Sequence, residues 1–229
     1  NDPRSLLARR ANMVLPLFAG TETTVATKTY LNSVATLWLL ARHWGGILDG
    51  SEGEQLARVA DQCSALLDHA DASLDRWLEA LGARKTLLFV GHGPHAATAQ
   101  QAAQTVSEWA KIPVHSNSIG AYRHGRIEGA GPDLGAVIFA GRGASRMSAT
   151  ALATELREYG ASVLLIEGGR ISGESDSTAS VTDKANPPID EFLTPMLDII
   201  PVQLFAEGLA RHLGIAPGFR HIAKVVTQL

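Results

Sequence analysis

Apolar positions change their spacing along the chain, and this change separates a helical first part from a mixed second part. From Glu22 to Trp44 the apolar residues recur at helical spacing and two glycines follow, which predicts a helix that ends there. A second amphipathic run, from Ser51 to Gly82, predicts a long linking helix. Before both, the apolar segment from Met13 to Phe18 is a candidate strand.

The second part of the chain alternates strands of the buried type with helices. Continuous apolar runs that stop on glycines predict strands at residues 86–93, 135–143 and 162–169. Helical segments separate and follow them, and a short β-like piece lies at residues 113–116. Strands of this kind, alternating with helices, form a parallel, doubly wound sheet. We therefore predict an α/β domain over residues 83–215.

Composition and charge exclude several classes of protein. The 20 basic and 23 acidic residues give a net charge of −3, and the basic residues are scattered, so we expect no nucleic-acid-binding stripe and no polybasic membrane patch. The single cysteine, Cys63, cannot form an internal disulfide, which favours a reducing cytoplasm. We find no run of about eighteen apolar residues and expect no membrane span.

Two glycine-containing turns between a strand and a helix could hold an anion. The first, FVGHGPHAA, has the G-x-G of a nucleotide-binding turn, but Ala96 occupies the place of the third glycine. The second, FAGRGASRMSAT, puts Arg142 and Ser145 beside two glycines and could form a phosphate pocket. Tight turns of this composition are also common in α/β proteins, so neither turn alone defines a function.

The chain has no recognisable motif for a metal or a nucleophile. Its eight histidines lack zinc-type spacing to cysteine or carboxylates, and the nearest pair, His92 and His95, has no third ligand close in sequence. There is no G-x-S-x-G motif, and Cys63 lies within a helical stripe. We therefore expect neither a metal nor another cofactor.

Three further polar residues are candidates for acid–base chemistry. Glu108 lies near the end of a predicted helix, His124 precedes Gly125 in a turn, and Lys224 lies in the C-terminal tail. Each also has an ordinary structural explanation, as a solvated helix-end acid, a turn residue and a tail cation. Their spacing alone does not choose between the two explanations.

Three separated segments give the chain a resemblance to the sugar isomerase (SIS) family, including the isomerase half of glucosamine-6-phosphate synthase and single-module phosphosugar isomerases and deaminases. The segments are AGTETTVATKTYLNSVATLWLLA, the block from FVGHGP through SEWAKIPV to YRHG, and LTPMLDIIPVQLFAEGLARHLGIAPG with AKVVT. The resemblance implies an SIS-type doubly wound parallel sheet flanked by helices. It divides the chain into the remnant of a first SIS subdomain, a linking helix, a second SIS subdomain and a catalytic tail, at residues 1–50, 51–82, 83–215 and 216–229.

The resemblance also implies catalytic roles for individual residues. Glu108 corresponds to the isomerising base, His124 in its Arg-His-Gly element to the ring-opening histidine, and Lys224 to the tail lysine. A carboxylate suits proton transfer between adjacent carbons, an imidazole suits ring opening near pH 7, and an ammonium stabilises a negatively charged enediol. In the family pattern the histidine acts across a dimer interface, so a homodimer is expected.

The same resemblance implies substrate-binding positions, and the sequence departs from the family pattern at several places. Val25, Thr27 and Ala223 correspond to sugar-binding positions, although the V-A-S-T-K segment of the family is here one residue short. The family's L-K-L-K-E is here Q-T-V-S-E, which removes two cations near the expected base, and G-E-x-K-H-G-P is here GAYRHGRI. The Ser/Thr-rich phosphate loop of the first subdomain does not occur in the sequence, which we interpret as a missing N-terminal half.

The expected function is therefore that of an aldose–ketose isomerase or deaminase for amino-sugar or ketosamine phosphates, active in cytoplasmic amino-sugar metabolism. Its expected partners are a phosphorylated sugar and a second copy of the chain, with no nucleic acid and no membrane. The alternative is an SIS module that senses a phosphosugar without turning it over. A pure dimerisation scaffold is a third possibility.

Overall fold

The computed structural model describes residues 2–68, 70–141, 144–172 and 188–221. Its helices are α1 (Leu6–Arg10), α2 (Lys28–Trp44), α3 (Glu52–Asp68), α4 (Ala70–Leu81), α5 (Pro94–Ala110), α6 (Ile119–Arg123), α7 (Ala144–Glu158) and α8 (Thr194–His212). Its strands are β1 (Thr86–Gly91), β2 (His115–Ser118), β3 (Leu134–Phe139), β4 (Ser162–Glu167) and β5 (Arg170–Ser172). Short 3₁₀ turns lie at Arg126–Gly129 and Glu191–Leu193.

The five described strands form one sheet in the order β2-β1-β3-β4-β5, parallel except for the antiparallel pair β4–β5. The predicted strands at the positions of β1, β3 and β4 are confirmed, as is the α/β fold class. The chain leaves β1 toward β2 on one side and returns to β3 on the other. The carboxyl ends of β1 and β3 therefore form the switch point of the sheet, where α/β folds commonly bind ligands.

Helices cover both faces of the sheet, and each face has its own apolar core. On one face, Phe89 and Phe139 pack against the buried alanines of α5 and the apolar side of α8, and α4 adds Trp77. On the other face, the intervening strand residues, such as Ile138, pack against α6 and α7. This separation follows from the alternation of side chains along each strand, and it places α5 and α6 on opposite sides of the sheet.

The apolar composition of α8 is explained by its burial in the fold. By length and composition, residues 191–212 could cross a membrane, since an 18-residue stretch within them has a mean hydropathy of 1.3. However, 72% of that stretch is buried inside the structure. The helix packs against α5, α4 and α3. Burial on several sides accounts for its composition, because a core helix needs few polar positions.

Two expectations for the first fifty residues are wrong. Residues 13–18 do not form a strand: no described strand lies beside them, Pro16 lacks an N–H, and Phe18 has a left-handed φ of 53°. The helix predicted from Glu22 begins only at Lys28. The intervening residues instead wrap around the Glu22 carboxylate, which accepts backbone N–H groups that a longer helix would have used internally.

The remaining elements lie close to their predicted places. Residues 51–82 form α3 and α4, both of which pack on α8. The strand β2 covers residues 115–118 rather than 113–116, since Pro113 cannot donate to a ladder and the pairing with β1 begins at His115. The β-like piece predicted near the C-terminus lies outside the described residues.

A buried histidine–aspartate pair joins three elements at the carboxyl side of the sheet. His95, in the first turn of α5, and Asp198, in α8, are both fully buried, and Nε2 lies 2.7 Å from Oδ2. The other carboxylate oxygen accepts the N–H of Gly169, in the turn between β4 and β5, at 2.6 Å. Asp198 therefore connects α5, α8 and the sheet, and its removal would leave buried polar groups unsatisfied.

We expect Asp198→Ala to lower the free energy of unfolding by about 3 kcal/mol, because it leaves the His95 imidazole and the Gly169 N–H without their acceptor. The matched control is Asp133→Ala, which removes a carboxylate that pairs with Lys85 at 2.7 Å while both side chains are largely exposed. That change should lower the free energy of unfolding by less than about 1 kcal/mol. Urea denaturation of both variants provides the measurement, and equal losses would contradict the structural role of Asp198.

Candidate functional site

The predicted base, Glu108, is fixed by the last turn of α5. Its side chain is half-buried, and Oε1 accepts a hydrogen bond from Gln104 Nε2, one turn earlier, at 2.8 Å. The opposite side of the helix is locked into the core by fully buried residues such as Ala102 and Val106. A rigid helix thus presents a carboxylate at its end, as a positioned acid or base requires.

The loop that carries Val25 and Thr27 is built around another carboxylate, Glu22. Its Oε1 accepts the backbone N–H groups of Thr27, at 2.8 Å, and Thr29, at 3.1 Å, together with the Thr27 hydroxyl at 3.1 Å. Glu22 therefore caps the start of α2, where the first N–H groups have no partner within the helix. Val25 is 5% exposed, so its side chain contributes almost nothing to the accessible surface of the loop.

This loop is docked onto α5. Gln101 Nε2 donates to the Ala26 carbonyl at 3.4 Å and to Thr105 Oγ1 at 3.2 Å. Positions 101, 105 and 108 are four and three residues apart and therefore share one side of the helix. The loop predicted to bind sugar and the predicted base thus lie along the same stripe of α5.

A second contact between α2 and α5 supports the same arrangement. The Tyr30 hydroxyl donates to Thr98 Oγ1 at 3.1 Å. Burial raises the pKa of Tyr30 to about 12, against the lowering effect of the Thr98 hydrogen bond and with a further rise from the negative charge of Asp198. The phenol is therefore neutral at physiological pH and remains a hydrogen-bond donor.

The C-terminal segment also approaches the Glu108 end of α5. Lys111 follows the helix, and its ammonium donates to the carbonyl of Glu108 and, at 2.6 Å, to the carbonyl of Gly218. Lys224 and Ala223, the predicted tail residues, lie outside the described residues. Gly218, six positions before Lys224, is the nearest point of the tail whose contact with α5 is described.

His124 lies on the other side of the sheet. It follows α6, whose start is capped by Ser118 and whose Arg123 donates to Glu155 of α7 at 2.7 Å. The imidazole is exposed. Because α5 and α6 cover opposite faces of the sheet, this chain does not bring His124 beside its own Glu108.

The glycine turns singled out in the sequence have structural explanations. A side chain at Gly91 would place its Cβ 2.0 Å from the carbonyl oxygen of His95, and Gly93 has a φ of 57°; the turn from β1 into α5 therefore requires glycine at both positions. In the second turn, a Cβ at Gly141 would lie 2.7 Å from Ser145 Oγ. Arg142, the cation of that turn, lies outside the described residues.

Metal ligands are not grouped in the described part of the chain. No cluster of three or more His, Cys, Asp or Glu side chains occurs there. His95, one of the closest pair of histidines in the sequence, is engaged with Asp198 instead. This partner is 103 residues away, which is why the spacing of histidines and acids along the chain did not suggest it.

Three residues of the site region were missed by the sequence analysis. They are Glu22, which organises the sugar-loop candidate, Gln101, which docks it, and Lys111, which meets the tail. The spacing of Gln101 to Glu108, seven residues on one predicted helix, was available as a signal. Glu22 lay within the predicted helix and Lys111 was indistinguishable from a solvated cation.

The fold is that of a doubly wound α/β domain, with helices on both faces of a mostly parallel sheet. The sequence profile of the SIS domain matches residues 81–211, more than half of the chain. The chain therefore belongs to the SIS domain family, as its motifs predict.

Known relatives and structures agree with this membership. The chain is 28% identical over 239 aligned positions to a glutamine–fructose-6-phosphate aminotransferase (isomerizing) of Zymomonas mobilis, with 99% of this chain and 39% of that protein covered. It thus spans about two fifths of the length of the curated relatives it matches.

Solved structures show the same fold. The C-terminal domain of the glucosamine-fructose-6-phosphate aminotransferase of Francisella tularensis superposes with a TM-score of 0.78 at 18% identity, covering 96% of this chain and 64% of that one. A glucosamine-6-phosphate deaminase of Thermotoga maritima superposes with a TM-score of 0.69 at 20% identity, covering 96% and 63%.

The Glu22 cap predicts a pH dependence of stability. Burial of the carboxyl would raise its pKa, but hydrogen bonds from Thr29 and Thr27 outweigh it and hold the pKa below its usual 4.5. A carboxyl with a lowered folded-state pKa stabilises the fold fully above about pH 4.5, and this contribution is lost as the pH falls through the lowered value.

We therefore expect Glu22→Gln to lower the free energy of unfolding by about 1 kcal/mol at pH 7, a value that allows for solvent screening at this partly exposed site. The difference from wild type should shrink below about pH 4, as Glu22 itself becomes protonated. Glu158→Gln, at an exposed position of α7, serves as the control. Denaturation of both variants and of wild type between pH 3 and pH 7 tests this. A stability difference that stays constant over this range would contradict the capping role of Glu22.

Proposed function

We propose that this chain is the sugar-isomerising part of a phosphosugar aldose–ketose isomerase or deaminase that acts on an amino-sugar or ketosamine phosphate. Its roles would be those of a base, Glu108, a ring-opening His124 supplied by the partner in a homodimer, and a tail Lys224. Val25, Thr27 and Ala223 would bind the sugar. The proposal places the protein in the cytoplasm and in amino-sugar metabolism, without a nucleic-acid or membrane partner.

One observation carries the proposal: three segments to which the family resemblance gives roles meet on one helix. Glu108 ends α5, the loop of Val25 and Thr27 docks on the same stripe through Gln101, and the tail reaches the helix end through Lys111. The segments are about 80 and 110 residues from Glu108 in sequence. Random placement of surface loops would not favour this convergence, whereas a substrate site requires it.

The proposed chemistry is a proton transfer between neighbouring carbons. An imidazole can take the proton of the anomeric hydroxyl and give one to the ring oxygen, which breaks the bond between the anomeric carbon and the ring oxygen and leaves an open-chain carbonyl. The Glu108 carboxylate then removes the proton from the carbon beside the carbonyl and returns it to the former carbonyl carbon. In the enediol or enolamine between these steps, the former carbonyl oxygen has gained a proton, and the neighbouring hydroxyl or amino group then gives one up. The charge that develops on oxygen is stabilised by a lysine ammonium. No electrons leave the substrate, so no redox cofactor is required.

The surroundings of Glu108 are compatible with a base but differ from the family pattern. The amide of Gln104 donates to one carboxylate oxygen, and the two lysines of the family's L-K-L-K-E sequence are replaced by Thr105 and Ser107. Lys111 supplies a cation to the helix end instead, bonded to backbone carbonyls. The proposed site therefore carries fewer cations beside the base than the family pattern does.

Replacing Glu108 with Gln tests the base directly. We expect the rate of aldose–ketose interconversion in the full-length protein to fall by about 10²–10⁴-fold, since the amide keeps the shape and the hydrogen bond but cannot accept the proton. Glu128→Gln, at an exposed position of the 3₁₀ turn near His124, is the control and should retain activity. Undiminished turnover by Glu108→Gln would exclude the assignment.

A mixing experiment tests the placement of His124 in a neighbouring subunit. Glu108→Gln and His124→Ala should each be inactive as separate proteins. After co-refolding in equal amounts, half of the dimers contain one chain of each kind, and one of their two sites has both wild-type groups, so about a quarter of wild-type activity should return. Failure to recover any activity, with mixed dimers demonstrated by mass spectrometry, would contradict sharing of the site.

The second candidate, a phosphosugar sensor, is favoured by one observation, the replacement of the family's lysines beside Glu108. It predicts thermal stabilisation of the full-length protein by hexose or hexosamine 6-phosphates without their interconversion. The enzyme predicts both stabilisation and interconversion. A thermal-shift screen followed by product analysis of each stabilising ligand separates the two, because only the enzyme changes the ligand.

A further inference from the structure

The sheet face that carries α6 and α7 is incompletely covered near the edge strand β2. Leu88 of β1 and Leu134 of β3 belong to the apolar core of this face. Leu88 is in register with His115 of β2, and side chains two positions apart on a strand share a face, so His115 and Asn117 lie on this side too. The helix α6 has five residues, a length of about 7.5 Å, and is too short to cover this part of the sheet.

A pocket of about 240 Å³ lies there, between the sheet, α6 and the 3₁₀ turn that follows it. Its apolar surface comes from Leu88 and Leu134. Its polar groups come from five side chains on four elements, namely Thr86, His115, Asn117, Tyr122 and Arg126. The volume is below the roughly 300–1,000 Å³ of pockets for drug-sized ligands, so the pocket suits a small molecule.

The polar side chains of this pocket lack partners within the part of the chain that the structure describes. The Asn117 amide nitrogen, Nδ2, is buried and has no hydrogen-bond acceptor there. Tyr122 is 5% exposed and Arg126 is exposed, and neither side chain makes a hydrogen bond or an ion pair with the described residues. A buried donor without an acceptor costs free energy, and a ligand that supplied acceptors would recover it.

The charge and the donors of the pocket favour an anion. Arg126 carries a permanent positive charge, and a guanidinium can donate two parallel hydrogen bonds to a carboxylate or a phosphate. Burial raises the pKa of Tyr122, so its phenol is protonated and can donate as well. No acid is among the described lining residues: Glu128, close in sequence, is exposed, and Asp133 is engaged in an ion pair with a neighbouring lysine.

We propose that this pocket binds a small organic oxyanion, a carboxylate or a phosphate monoester, with the charged group on Arg126 and Asn117 and the apolar part on Leu88 and Leu134. The site is distinct from the stripe on α5, because α5 covers the opposite face of the sheet. It goes beyond the proposed function and does not depend on it. Its occupation would restrain α6 and the 3₁₀ turn, which hold the pocket from the solvent side.

Four probes test the chemistry of the ligand on the full-length protein, by titration in saturation-transfer NMR. Benzoate and phenyl phosphate join an oxyanion to an aromatic ring, benzamide is the uncharged counterpart of benzoate, and inorganic phosphate lacks the apolar part. Molecules of about ten non-hydrogen atoms bind with a Kd on the order of 1 mM. We expect at least one of the two aromatic anions to bind about tenfold more tightly than benzamide, and the better one identifies the charged group.

Two outcomes of this titration count against the proposal. If neither aromatic anion binds more tightly than benzamide, the pocket does not select an oxyanion and the proposal is overturned. Inorganic phosphate should bind more weakly than phenyl phosphate, and equal binding of the two would overturn the role of Leu88 and Leu134.

Substitutions assign the binding to this pocket. Arg126→Met should raise the Kd of the better anion about tenfold, because it removes the charged donor from an exposed position where the fold does not need it. Asn117→Asp, nearly identical in shape, replaces a donor by a negative charge and should abolish binding. Arg170→Met, at an exposed position of β5 on the other edge of the sheet, is the control and should keep the wild-type Kd. Thermal unfolding of each variant verifies the fold, and an unchanged Kd in Arg126→Met overturns the proposal.

Hydrogen exchange followed by mass spectrometry locates the bound anion independently of any substitution. At saturating concentration of the better anion, exchange should slow in peptides that cover residues 115–129, because the ligand holds α6 and the 3₁₀ turn against β2. Protection confined to residues 22–28 and 101–111, the proposed sugar site, would assign the anion to that site and overturn the pocket. If the protein turns over no phosphosugar while residues 115–129 are protected, the proposed function fails and the pocket stands.

Discussion

The packing of α5 between the sheet and α8 is the constraint on which the rest of the structure depends. Small residues such as Ala99 and Ala102 are fully buried there and allow the helix to lie close to β1 and β3. A helix held this closely cannot rotate without breaking the core. Its opposite stripe, from Gln101 to Glu108, therefore has a fixed direction, and segments that dock on it acquire fixed positions too.

Polar and apolar contacts together attach the first fifty residues to this framework, the apolar ones through Trp38, Tyr30 and Leu31. Trp38 donates to Asp190 at 3.0 Å, and Tyr30 and the Ala26 carbonyl meet α5 by hydrogen bonds, while Phe18 remains 87% exposed. Hydrogen bonds are directional and contribute little net free energy each. The hydrogen bonds therefore determine the position of the loop that carries Val25 and Thr27.

The sequence predicted the α/β domain better than the segments around it, for physical reasons. Buried parallel strands such as β3 are apolar throughout, and this signal is local. The segment 13–18 is equally apolar, but a strand also requires a neighbour, which local sequence does not report. The role of Glu108 is predicted from a family motif, while the contacts of Lys111 and of the Asp198–His95 pair join residues 103 or more positions apart. Such contacts follow from topology, and no pattern along the chain encodes them.

The strand β2 has a consequence for the behaviour of the molecule in solution. It occupies one edge of the described sheet, and its sequence, His-Ser-Asn-Ser, is polar throughout. An outer strand with unpaired backbone groups and an apolar sequence would recruit strands of other chains. A short strand of this polar composition gives such an invader little apolar surface to bury. The sheet thus ends in a polar border that opposes uncontrolled polymer growth.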